Sequence, residues 1–265
     1  MVNLKKYNDV LKLFVIFLTF SAIISCGPTS YTITKIEGKQ LPVTAAAINR
    51  ADNEIDKKIE EYIFPYRSRI NKDLDSVLAF CPITLDKKAV NLQSTIGNMM
   101  ADVVLEYGNK VFEKRENKNI SICILNNGGI RAILPKGNVT ARNGFEIMPF
   151  ENSLVVIALR GREIRELIAY FVKENQAHPL AGLTFTISKD KEAKNILVQG
   201  KELQDEQLYY VGTNDYLANG GDNMSFFSKG EHTYDLDYKL RNILIDYFKN
   251  VTTVTAKQDN RIVVE

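Results

Sequence analysis

Residues 152–171 read NSLVVIALRG and then REIRELIAYF, and the change of period at Gly161 limits what the chain can fold into. The first half is an apolar strand, and the second repeats Ile164, Leu167, Ile168 and Phe171 at helical spacing. The same alternation recurs along the chain. IGNMMADVVLEYG places Ile96, Met99, Met100, Val103 and Val104 on one helical face, and NISICIL is a short buried strand by composition. VTARNGFEI is a short helix with Thr140 as N-cap. GLTFTIS, NILVQG and QLYYVGTN alternate like strands. YDLDYKLRNILIDYF gives a last helix with Leu240, Ile243, Leu244 and Tyr247 on one face, and RIVV closes a sheet edge. Residues 51–80 carry a helical pattern (Ile55, Ile59, Tyr62, Ile70, Leu74, Val77, Leu78) that Pro65 should break or kink. Strands alternating with helices, plus one run of consecutive strands, predict an α/β domain with a layered mixed sheet over residues 51–265.

The first residues form a targeting signal. Lys5, Lys6 and Lys12 flank the start of the apolar run LFVIFLTFSAII, which has the length of a signal h-region and is short for a membrane span. It ends in IISCGP, which resembles the lipobox of bacterial lipoproteins, where the signal is cut before a cysteine that then carries lipid. Residues 1–25 are thus expected to be a lipoprotein signal peptide, Cys26 the lipidation site and residues 26–50 a tether with one strand at 31–36. The alternative is an uncleaved anchor that happens to contain a cysteine. Both place the rest of the chain outside the cytoplasm, held at a bacterial membrane, periplasmic or at the cell surface. Cys81 and Cys123 either form a disulfide or are small buried hydrophobes.

Charge and catalytic inventory exclude several classes. With 34 Lys and Arg against 32 Asp and Glu, interspersed, the chain has no basic stripe for nucleic acid. Its two histidines, His178 and His232, lie far apart in polar, loop-like stretches, too few for a two-metal hydrolytic centre. No GxSxG elbow, phosphate-binding GxxxxGK[ST] loop or cysteine metal motif is present.

Three motifs remain that suit a ligand. NNGGIR ends a strand in amides and bare backbone at Asn126, Gly128 and Gly129, followed by the guanidinium fork of Arg131. Taken alone it also reads as an ordinary strand-to-turn connection. MPFEN sets Phe150 in a loop, where a phenylalanine is usually packing. NDYLANGGDN places Tyr216 six residues before Asp222, with two glycines directly ahead of the acid. Two rings for a flat base, an amide for its edge, an arginine for anionic oxygens and a carboxylate for sugar hydroxyls together make a nucleoside inventory.

NNGGIRAILPKGNVT, EIMPFENSLVVIALRG and NDYLANGGD, in this order, resemble the C-terminal substrate-binding domain of the 5'-nucleotidase family, as does QSTIGNMMAD upstream. The resemblance covers about residues 90–228 and extends over most of 50–265. It implies that Phe150 and Tyr216 stack on the base, Asn126 meets its edge, Asp222 holds the ribose hydroxyls, Arg131 faces the phosphate and Gly182 lines the base pocket. The sequence departs from the family at Gln93, where a glutamate is usual, at Val90, near an expected arginine, and at Tyr216, usually phenylalanine. The family's other half is a dimetal phosphoesterase, whose motifs should lie upstream, and residues 1–90 contain no histidine. The resemblance therefore implies a nucleoside- or nucleotide-binding specificity domain of a split 5'-nucleotidase. No cofactor is expected in this chain, divalent metals are expected in a separate metallophosphoesterase chain, and the only membrane contact is the lipid. The alternatives are a non-catalytic nucleoside-binding lipoprotein and a degenerate structural relative that has lost its ligand.

Overall fold

The computed structural model describes residue 8, residues 11–18, residue 38, residues 54–256 and residues 258–265. Cys26 and the strand expected at 31–36 lie outside the described residues. The chain divides into two compact units, Met1–Ile59 and Glu60–Glu265. In the first, residues 11–18 are helical, with Leu13 and Phe17 among their exposed side chains. Among the described residues no helix is long and apolar enough to cross a membrane.

Helix α1 spans Glu54–Leu74. It runs through Pro65 without ending there, contrary to a break. Its residues from 56 onward are solvent-facing or nearly so, and water can take up the carbonyl that a proline leaves without its N–H partner. The helical pattern expected to reach 80 stops at Leu74. Val77–Cys81 is instead strand β1, paired antiparallel with β3 (Gly137–Thr140). Val, Phe and Cys fit a pleated surface well enough for pairing to override the apparent helical spacing.

The second unit is built on a five-stranded sheet in the order β10-β4-β9-β2-β5 (His232–Lys239, Ser153–Arg160, Leu208–Asn214, Ile122–Ile124, Leu180–Ala181). Only β2 and β9 are parallel neighbours in it, and the other pairs are antiparallel. Both faces of the sheet are covered at its central strands, so β4 is apolar on both sides. Leu154 and Val156 enter one core with Ile96, Met99, Met100 and Val104 of α2 (Thr95–Glu116) and with Leu240, Ile243, Leu244 and Tyr247 of α6 (Leu240–Asn250). Ile157 and Leu159 enter a second core with Ile164, Leu167, Ile168 and Phe171 of α4 (Gly161–Glu174). That second core also takes Leu183, Phe185 and Ile187 of β6 (Leu183–Ile187) from a four-stranded sheet. This sheet has the order β11-β6-β7-β8, with β7 at Ala193–Val198, β8 at Lys201–Glu202 and β11 (Ile262–Val264) at its edge. Between β3 and β4, the short α3 (Ala141–Ile147) starts at Thr140, whose N–H donates to Asn143 Oδ1 at 2.9 Å.

Local readings of the last helix and the histidines change in part, and the alternative left open for the cysteines is decided. The last helix begins at Leu240, because YDLDYK continues β10, which also takes His232 out of a loop. His178 is in a loop but only 4 % exposed, packed against the Tyr170 and Phe171 rings at 5.6 Å between centroids. Cys81 and Cys123 are both buried and unpaired.

Gln93 closes the domain. Its side-chain N–H groups donate to the carbonyls of Asp259 (2.8 Å) and Ile262 (3.0 Å), and its oxygen accepts from Asn98 Nδ2 (3.0 Å). A glutamate could not donate to two carbonyls. Nearby, Arg261 makes a two-pronged pair with Asp102 at 2.9 Å per bond and also binds Asp259, tying the C-terminal segment to α2. Gln93→Glu is therefore expected to destabilise the fold by about 2–4 kcal/mol at neutral pH. Urea unfolding would measure this, and a change below about 0.5 kcal/mol would remove the clamp from the account.

Candidate functional site

Strand topology gathers the three motifs. Because β2 and β9 are parallel neighbours (Ile122 opposite Val211), their C-terminal ends leave the same edge of the sheet. Because β4 is antiparallel to β9 (Leu154 opposite Asn214), the segment entering β4 arrives at that edge too. Asn126, Phe150 and Tyr216 thus meet around one hollow of about 620 Å³, a size typical of small-molecule sites. Asn126, Gly128, Gly129, Arg131, Phe150, Tyr216 and Asp222 all line it. Gly182 does not. It lies between β5 and β6 at φ +77°, where a Cβ would collide with the Ser121 carbonyl oxygen, beyond the other end of β2. Its glycine is accounted for by that close approach.

Each wall has a physical basis. Asn126 follows β2, buried, and its Oδ1 accepts from Asn214 Nδ2 at 2.9 Å. Asn214 in turn caps the four-residue helix α5 (Asp215–Ala218) by accepting from the Leu217 N–H at 2.8 Å. One asparagine pair therefore joins the first motif to the third. A Cβ on Gly129 would approach the Asn126 Oδ1 to 2.9 Å, which favours glycine there. The Asn127 N–H donates to His178 Nδ1 at 3.3 Å, and burial holds the histidine's pKa below its usual value against the opposing pull of the Asp222 carboxylate.

Phe150 and Tyr216 are 37 % and 46 % exposed, so neither is a core ring. The guanidinium carbon of Arg131 lies 5.1 Å from the Phe150 ring centroid, within cation–π range. The loop carrying Phe150 is gripped from α6. Arg241, itself buried, donates to the Pro149 and Phe150 carbonyls at 3.5 and 3.4 Å and pairs with Glu151. Lys239 adds a bond to the Glu151 carbonyl at 2.8 Å. On the other wall the Tyr216 hydroxyl donates to Asp222 Oδ1 at 2.8 Å and accepts from the Asp222 N–H at 3.3 Å. The Tyr170 hydroxyl donates to the Asp222 carbonyl at 2.9 Å. Asp222 adopts φ 50°, and a Cβ on Gly221 would come within 2.6 Å of the Tyr216 ring.

Sequence reasoning missed several contributors. Glu151, Asn152, Asn214, Asp215 and Asn219 line the hollow as well. Asn214 alone carried a readable signal, an N-cap residue between a strand and a helix. Lys87 donates to the Ile130 carbonyl at 3.1 Å, and burial first and the Arg131 charge second lower its pKa. It brings a second cation to the Arg131 side of a domain in which the expected arginine position is Val90. Among the described residues no group of three or more His, Cys, Asp or Glu side chains is placed to hold a metal ion. The arrangement offers donors, acceptors and two rings to a ligand.

Comparison with known proteins agrees with this architecture. A family model described as 5'-nucleotidase, C-terminal domain, matches residues 82–229. The chain is 28 % identical over 185 residues to the trifunctional nucleotide phosphoesterase protein YfkN of Bacillus subtilis, covering 64 % of this chain and 12 % of that protein. It is 29 % identical over 196 residues to the cell wall protein Lmo0130 of Listeria monocytogenes, covering 66 % of this chain and 24 % of that protein. The crystal structure of a 5'-nucleotidase precursor from Thermus thermophilus superposes with a TM-score of 0.64 at 27 % identity, over 79 % of this chain and 43 % of that one. The chain thus spans less than half the length of each of these relatives. With more than half of its residues inside the family match, the chain belongs to the 5'-nucleotidase C-terminal domain family.

Proposed function

We propose that this chain is the nucleoside- and nucleotide-reading half of a split 5'-nucleotidase that hydrolyses phosphate esters in nucleotide breakdown. The observation that carries the reading is the convergence of Asn126, Arg131, Phe150, Tyr216 and Asp222, from three separate segments, on one hollow. In this reading the base lies against the half-exposed rings of Phe150 and Tyr216 and Asn126 meets its edge. Asp222 accepts from the sugar, and Arg131 faces the phosphate with Lys87 beside it. The described residues offer no site that fits the family's divalent metals. The dimetal chemistry is assigned to a separate metallophosphoesterase chain, and no step through it is derived from the residues here. Glycines 128 and 129 let a ligand approach the backbone at the end of β2. Gly182 stands away from the hollow and is given no ligand role.

We further assign the first 25 residues to a lipoprotein signal, Cys26 to lipid attachment, residues 26–50 to a tether and residues 51–265 to the binding domain, outside the cytoplasm. The lysine-flanked apolar run ending in IISCGP supports this, as does the relative named a cell wall protein. The alternative, a nucleoside-binding lipoprotein with no enzymatic partner, shares the same hollow.

Calorimetric titration of the full chain with adenosine and AMP should show micromolar binding. Phe150→Ala should weaken it by about tenfold or more, since stacking contributes about 1–3 kcal/mol, with little change in melting temperature because the ring is not core. No heat with either ligand from a folded chain would reject the reading. Adding a metallophosphoesterase encoded beside it should raise phosphatase turnover of AMP about tenfold or more over either chain alone. Unchanged turnover would favour the partnerless alternative. Mass spectrometry of the chain from the membrane fraction should find its N-terminus at Cys26 carrying lipid, and an N-terminus that still includes the apolar run would point to the uncleaved anchor.

A further inference from the structure

The Tyr216–Asp222 pair is more than two neighbouring wall residues. The tyrosine oxygen accepts the Asp222 N–H at 3.3 Å, so its own hydrogen is directed at Asp222 Oδ1, 2.8 Å away. The carboxylate in turn raises the pKa of the phenol, which keeps it a donor across the neutral range. Gly221 leaves room for the ring beside its backbone, and Tyr170 fixes the Asp222 carbonyl at 2.9 Å. Asp222 itself sits at φ 50°, in the left-handed region that aspartate tolerates better than most residues. The aspartate therefore presents a carboxylate with one oxygen already engaged.

A free carboxylate can grip two adjacent hydroxyls at once, one on each oxygen. Here one of the two acceptor directions of Oδ1 is filled by the phenol hydrogen, so a sugar hydroxyl at Oδ1 has to share that oxygen and lie beside the phenol oxygen 2.8 Å from it, which weakens the second grip. Oδ2 carries no such donor and is the stronger acceptor for a hydroxyl. Resting on the nucleoside reading above, we propose that Tyr216 is a specificity-determining residue: by occupying one oxygen of Asp222 it makes the site read one sugar hydroxyl where an unencumbered aspartate would read a vicinal pair. The ligands admitted then include both ribonucleosides and a deoxy series that lacks the unread hydroxyl. A phenylalanine at 216 would keep the ring and release Oδ1, which separates the hydroxyl's role from stacking.

The test is calorimetric titration of the full chain and of Tyr216→Phe with adenosine, 2'-deoxyadenosine and 3'-deoxyadenosine. In the unsubstituted chain one deoxy analogue should bind within about threefold of adenosine and the other about tenfold or more weaker, the cost of losing a single hydrogen bond to a charged group. In Tyr216→Phe both analogues should fall about tenfold or more behind adenosine, because both oxygens now read the sugar. Three results would overturn the proposal while leaving the nucleoside reading intact: both analogues already weakened in the unsubstituted chain, neither weakened, or an unchanged pattern in Tyr216→Phe. The first two are decided without the variant, so they stand even if Tyr216→Phe does not fold. Absence of binding by all three nucleosides would overturn the proposal together with the reading it rests on.

Discussion

The parallel pairing of β2 with β9 is the constraint on which the rest of this domain depends. Parallel neighbours cannot be joined by a tight turn, so the chain between Ile124 and Leu208 must travel away and return. That excursion builds α3, β4, α4 and the hairpin strands of the second sheet. It also brings β4 in antiparallel on the far side of β9, so that two strands end and one begins at a single sheet edge. The loops at that edge are free of the sheet's hydrogen-bond ladder and hold the ring, amide, guanidinium and carboxylate groups. Core and site are thus consequences of one pairing: the central strands β2, β4 and β9 bury both of their faces, and the chemistry is left to their ends.

The helices with the clearest period were legible. Ile96, Met99, Met100, Val103 and Val104 are buried on α2 as their spacing implied, and so are Ile164, Leu167, Ile168 and Phe171 on α4. The errors came at junctions where two periods overlap. In YDLDYK, Tyr234, Leu236 and Tyr238 alternate, but they run straight into the helical pattern from Leu240, and strand pairing with β4 decides the matter. VLAFC was likewise absorbed into the preceding helical spacing until its pairing with β3 is known. His178 was unreadable in its polar stretch, because its burial is imposed by α4 rings that lie in an earlier segment.

For the site, the motif residues were legible because their types are unusual at strand ends. Glycines follow β2 and precede Asp222, and half-exposed rings stand at the entry to β4 and in α5 after β9. What the sequence withheld were the supports. Arg241 hides within a regular helical pattern, yet reaches back across 91 residues to hold the Phe150 carbonyl. Lys87 reaches the carbonyl of Ile130, the residue before Arg131, only because the chain folds back on itself. Gln93, which reads as a departure from its family, is instead matched to two backbone carbonyls, and its amide is a structural choice.

The two cysteines of the second unit carry a consequence for how the molecule answers its chemical surroundings. Cys123 is sealed inside the central sheet and Cys81 donates its S–H to the Ile83 carbonyl at 3.0 Å. Burial raises the pKa of each thiol, so the nucleophilic thiolate is scarce at neutral pH. With neither sulfur presented for exchange, this unit keeps the same covalent connectivity under oxidising and reducing conditions. Its folding calls for no disulfide catalyst, and a cysteine introduced at the rim of the hollow would be the unit's one accessible handle for a thiol-directed label.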